Sequence, residues 1–361
     1  VNGRWTTNKM KIWSGWQSLT IGAGAVMTVL PIGDYNITNV TINGQLLVYS
    51  RLVLRGSTTD DNSRLSIGRN AHVEFDLPYY LPHTPSKSYS VTSSYSVTVQ
   101  GSWIARKLSI DRGWRQLTVE TKGLLKLLPV DPYPIDSIDI KGQLLVESRI
   151  ELHGKQSLLI NYFTVWSGGN ATFYLPPTRP DNPKNEVSQI QATTVNVNGL
   201  LSARKLKIKP GWKNLNIGQG GTVTLIPIEE YNVARVTVNG KLLVSSTITL
   251  RGDPSDISSI FVIGKNARVE YDLPTVLHHT PKQNFSETSS YSVTVKGTWI
   301  AQRLAIAPGW RNLLIETDGL LRCLPIGNFP IDSVTVKGQL LVENTIPLQG
   351  KTSPQMTSFL V

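Results

Sequence analysis

Short apolar runs of the form [Leu/Val]-x-[Ile/Val]-x-x-x-[Leu/Ala/Trp] recur along the chain, separated by polar connections rich in Gly and Pro. Within the runs, apolar residues take every second position and β-branched residues dominate, as in Val40-Thr41-Ile42, Val236-Thr237-Val238 and Val334-Thr335-Val336. That alternation predicts strands with one buried face. No long 3.6-residue stripe with a cap predicts a helix. The inner β-branched residue falls at Val1, Ile21, Ile42 and Ile67, then at Val99, Val119, Ile140 and Val165. It continues at Val197, Ile217, Val238 and Ile263, and then at Val295, Ile315, Val336 and Val361. The intervals repeat as 20, 21, 25 and 32 residues, a period of 98.

A strand-built coil of about 20 residues is the pattern of a solenoid. The expected fold is all-β: a right-handed parallel β-helix of about 16 rungs in four repeats, 1–98, 99–196, 197–294 and a shorter 295–361, all one continuous solenoid. Handedness here is a fold-level expectation. Coils would stack about 4.8 Å apart. Leu19, Ile21, Val40, Ile42, Leu65 and Ile67 and their copies form the expected inward ladder. Asn43-Gly44, Asn198-Gly199 and Asn239-Gly240 resemble hairpin turns, but the regular spacing favours corners whose glycine takes a positive φ. Trp5, Trp103 and Trp299 share a slot with Leu201, which suits core fillers. A string of four β-sandwiches of about 98 residues is the alternative fold. Pro31-Ile-Gly-Asp-Tyr35 matches Pro227-Ile-Glu-Glu-Tyr231, while Pro129 to Pro134 matches Pro325 to Pro330, so the true repeat reads as 196 residues.

Composition narrows the function. The chain is 40% hydrophobic and 17% charged, as an ordered protein is. No apolar run reaches the ~18 residues of a membrane span. The single cysteine, Cys323, excludes an intramolecular disulfide framework and a Cys-based zinc site, and reads as a small core residue. No signal-peptide pattern is visible, and both termini fall on rung positions, so the chain reads as a segment of a longer repetitive protein.

Formal net charge is +11, and one basic position recurs in every repeat: Lys9, Lys107, Lys205 and Arg303. Cations spaced along a solenoid suit an acidic polysaccharide or a partner filament; equally, they keep strands soluble. Nucleic acid is not expected, because no stacking platform accompanies the charge. Trp16, Trp114, Trp212 and Trp310 each follow a glycine in a polar turn. Exposed, they would stack on sugar rings; folded back, they would seal the corner. Chemistry is sparse. The acidic pairs Asp60-Asp61, Glu74 with Asp76 and Glu270 with Asp272 are spread out, not clustered, and the five His residues form no ligand spacing, including His278-His279. No catalytic residue, metal or cofactor is expected. Asn36, Asn39, Asn170 and Asn284 open N-glycosylation sequons, with Asn284 the best placed in a long loop. The Pro-rich loops after Leu77, Leu175 and Leu273 would project from one side.

The pattern Gly-Trp-x-x-Leu-x-Ile-x-x-x-Gly, then Leu-Pro, then Val-x-Val-x-Gly-x-Leu-Leu-Val resembles extracellular β-helical repeat proteins of the adhesin and fibre type. It is also similar to G8-type repeats of extracellular proteins. The resemblance implies a β-helical fold and an extracellular or cell-surface location. The expected role is a structural module of a long fibre, filament or stalk that stacks end to end on neighbouring copies or further repeats. The alternative is a glycan-binding surface adhesin, with a polysaccharide lyase or hydrolase third.

Overall fold

The structure is a computed structural model. It describes the chain apart from residues 13–15, 32, 50, 78–88, 111, 174–186, 209–210, 228–229, 272–284 and 352–355. The expected loops after Leu77, Leu175 and Leu273, together with Asn284, Asp272, His83 and His278-His279, therefore lie outside the described residues. All regular elements are strands, with no helix among the described residues, and every strand pairing is parallel. The chain divides into two compact units, Val1–Gln191 and Ala192–Val361.

In the first unit the chain returns to one ladder after each repeat interval. Ile21 pairs with Ile42, Ile42 with Ile67, Ile67 with Val99, Val99 with Val119, Val119 with Ile140 and Ile140 with Val165. In the second unit the same column runs Val197, Ile217, Val238, Ile263, Val295, Ile315, Val336. The rung positions read from the sequence are thus neighbours in register, with two exceptions: Val1 and Val361 lie outside any strand. A second ladder joins Trp5, Met27, Leu46, Val73, Trp103, Leu125, Leu144 and Ala171. Its counterpart joins Leu201, Val223, Leu242, Val269, Trp299, Leu321 and Leu340. The six residues of the expected inward ladder are all buried, as is Cys323, whose thiol is pushed up to about 12 by burial. Burying each such aliphatic side chain contributes about 1.5–3 kcal/mol.

The corners need glycine for a reason other than the expected one. Gly44 and Gly240 do not adopt positive φ. A Cβ on Gly44 would sit 2.2 Å from the Ala25 carbonyl oxygen, and one on Gly240 2.2 Å from that of Gly221. Successive corners stack backbone on backbone, and a side chain has no room between them.

Candidate functional site

The recurring basic position is created by a bulge. The strand Ser102–Ser109 pairs Ala105 with Leu127 but Leu108 with Pro129, so one extra residue is inserted. The same shift precedes Met10 opposite Pro31, Leu206 opposite Pro227 and Leu304 opposite Pro325. Proline offers no N–H to a ladder, which suits the irregularity. The bulge breaks the in-out alternation, and two successive residues face outward. Lys9, Lys107 and Arg303 are exposed and Lys205, with φ 51°, is half-buried. A buried tyrosine closes the bulge from inside: Tyr35, Tyr133 and Tyr231 donate to the carbonyls of Met10, Leu108 and Leu206 at 2.6, 2.8 and 2.8 Å. Burial pushes the Tyr35 hydroxyl up to about 12.

Three of the four Gly-Trp tryptophans are not an outward platform. Trp114, Trp212 and Trp310 are buried, and only Trp16 is exposed, at 40%. Trp114 lies against Trp103 at 5.8 Å and Tyr133 at 6.1 Å, and Trp310 against Trp299 at 5.8 Å and Phe329 at 6.5 Å. Trp212 packs on Tyr231 at 6.4 Å. The strand they open pairs on into the core ladder, which carries the ring inward. Trp103, Trp299 and Leu201 fill the shared core slot as expected, whereas Trp5 is 38% exposed.

A charge cluster that the sequence reading missed recurs once in each unit. Asp136, its side chain 9% exposed, lies 2.8 Å from Arg115 Nε and accepts from the backbone N–H groups of Lys155 and Gln156 at 2.7 and 3.0 Å. Asp332 repeats this with Arg311 at 3.6 Å and the Lys351 N–H at 2.6 Å. The amines of Lys155 and Lys351 are held below the usual lysine range, first by desolvation and then by Arg115 and Arg311. Arg115 also lies over the Tyr95 ring at 5.6 Å. Each cluster thus sets two cations around one buried carboxylate. Two signals stand in the sequence: the basic residue that follows the Trp turn, at Arg115, Lys213 and Arg311 with Gln17 in the first repeat, and Pro-Ile-Asp-Ser at 134–137 and 330–333.

The acidic pairs behave differently from each other. Glu74 is taken up by Arg106 at 3.1 Å and His72 at 3.6 Å, and Glu270 by Arg268. Asp76 is pushed up to about 7 by burial, against the opposing pull of the Ser90 hydroxyl, which donates at 2.8 Å, and of Lys107. Among the described residues no three His, Cys, Asp or Glu side chains are grouped to hold a metal ion. Of the sequon asparagines, Asn36 is exposed, while Asn39 and Asn170 are half-buried within strands. Asn170 Oδ1 accepts from Thr172 at 2.9 Å. No protein-family model, no curated protein and no solved structure matches the chain.

Proposed function

We propose that the chain is a structural module of a long extracellular fibre, filament or stalk. In this reading each unit is a right-handed parallel β-helix, extended by further coils of the same kind. One observation carries it: within each unit the chain returns, in register and in parallel, to the same buried column at every repeat interval, a pattern that further repeats can extend. Trp5 and Trp16 are exposed, although their copies Trp103 and Trp114 are fully buried. In the second unit Phe359, paired with the buried Val334, is 55% exposed. An uncovered parallel edge with apolar side chains invites another strand. Negative-stain imaging of native material tests this: the expected result is elongated filaments, and separate compact particles would sink the reading.

A second reading, an adhesin for acidic glycans, is favoured by the Arg115–Lys155 and Arg311–Lys351 clusters. Two cations beside one carboxylate leave the Asp136 cluster with net positive charge, which suits a sugar carboxylate or sulfate, while Asp253 beside Lys351 balances the second cluster. Replacing Lys155 and Lys351 together by Ala would abolish binding to heparin while leaving circular dichroism unchanged. Equal heparin binding by the variant and the original chain would remove this reading.

A further inference from the structure

The unit Ala192–Val361 holds a partly enclosed cavity of about 10 Å³, lined by Val233, Leu250, Phe261, Thr288, Ser290 and Trp310 among others. That volume admits one water molecule. Two groups on its wall, Thr288 Oγ1 and Trp310 Nε1, are buried and have no hydrogen-bond partner among the described residues. An indole N–H can only donate, and a hydroxyl both donates and accepts. Ser289 and Ser290 also line the cavity and donate to the carbonyls of Gly252 and Ser259 at 2.8 and 3.0 Å. Their oxygens keep lone pairs with which to accept.

The first unit carries the same pair. Thr92 Oγ1 and Trp114 Nε1, each 196 residues earlier, are likewise buried without a partner. There Leu65 stands where the cavity wall has Phe261, a smaller side chain in the same place. Two independent copies of one orphaned donor and one orphaned hydroxyl are hard to reconcile with a dry core, because buried polar groups are paired as a rule.

We propose that each unit holds one structural water that accepts from the tryptophan indole and bridges to the threonine hydroxyl, at Trp310–Thr288 and at Trp114–Thr92. The buried run Ser-x-Thr-Ser-Ser at 90–94 and 286–290 then has a role: it supplies the polar wall of an internal water site. A water so held belongs to the fold in the way a side chain does. The site stands independently of the fibre reading.

The test is a high-resolution crystal structure of the full chain together with water-to-indole cross-relaxation spectra in solution. The expected result is one ordered water within hydrogen-bonding distance of each Trp–Thr pair, and a water cross-peak to the indole protons of Trp114 and Trp310. In Thr288→Val the cross-peak at Trp310 is lost while that at Trp114 persists, an internal control within one molecule. Empty density at both sites with no cross-peak in the original chain overturns the proposal, and so does a Trp310 cross-peak unchanged by Thr288→Val. If Thr288→Val does not fold, the original chain decides alone.

Discussion

Trp5 and Trp16 in the first coil, and Trp103 and Trp114 one repeat later, are the same two residues in two environments. The later pair is fully buried with ring centroids 5.8 Å apart; the earlier pair is 38 and 40% exposed. Both pairs stand at the same phase of the repeat, and Trp5, Trp103 and Trp114 lie in strands, whereas Trp16 precedes the strand Ser18–Ile21. What differs is the pairing: Trp103 pairs with both Val73 and Leu125, whereas Trp5 pairs with Met27. In a parallel ladder, burial is conferred by the strands paired on either side. The comparison also explains why a sugar-stacking role fails for Trp114, Trp212 and Trp310 and why an edge role suits Trp16.

The largest effect expected from breaking this comparison is at the tryptophans. Trp103→Ala or Trp299→Ala should cost about 3–5 kcal/mol, the range for emptying a core aromatic site. Trp5→Ala should cost about 1 kcal/mol or less, as at a surface position. Urea titration of the three variants measures this, and equal losses would show that the first coil is covered in solution.

The next effect is at the corners. Gly101 and Gly297 face neighbouring carbonyl oxygens that a Cβ would meet at 2.4 Å, whereas Gly3, at the same repeat position, has nothing within 4 Å. Gly101→Ala should lower stability by about 1–3 kcal/mol through overpacking, and Gly3→Ala should be near neutral. Thermal melts of the pair give the answer directly.

A smaller difference is expected between the two charge clusters. Asp136→Ala strands Arg115 and two backbone N–H groups, with an expected loss of about 2 kcal/mol. Asp332→Ala should lose less, because Arg311 is farther from it, at 3.6 Å, and 38% exposed. Guanidinium titration of each variant at low and moderate salt separates the ionic part, which salt screens.

The last effect is confined to a pH window. Asp76 binds its proton more tightly in the folded chain, with a pKa of about 7 against an ordinary 3.8. Its contribution is therefore fully present below the unfolded value and is lost as pH rises toward 7, with a slope of at most about 1.4 kcal/mol per pH unit. Asp76→Asn should flatten that part of the stability profile and leave the profile below pH 4 unchanged. A variant profile parallel to the original between pH 4 and 7 would mean that Asp76 is ionised throughout.

How much of this was legible can be seen residue by residue. The rung column from Ile21 to Val165 could be read because alternation is a local property of a strand with one wet face. Cys323 and the Leu201 slot were legible as core for the same reason: their repeat partners are apolar. The bulge was not, since it arises where a strand meets Pro31, Pro129, Pro227 or Pro325 of the next coil, 20 or so residues away. Asp136 was hidden too. A lone polar residue in an apolar run gains meaning only when Arg115 and the N–H groups of Lys155 and Gln156 converge on it.

By itself, then, the sequence determined the strands, their order along the repeat, the inward sense of Leu19, Ile21, Val40, Ile42, Leu65 and Ile67, and the place of the corner glycines. Those follow from period and propensity, which act within a few residues. Tertiary structure alone decided which tryptophans are buried, why the corner glycines have no substitute, and which cations gather around Asp136 and Asp332. Each of those depends on atoms from other parts of the chain, and only strand pairing brings those atoms within van der Waals or hydrogen-bond reach.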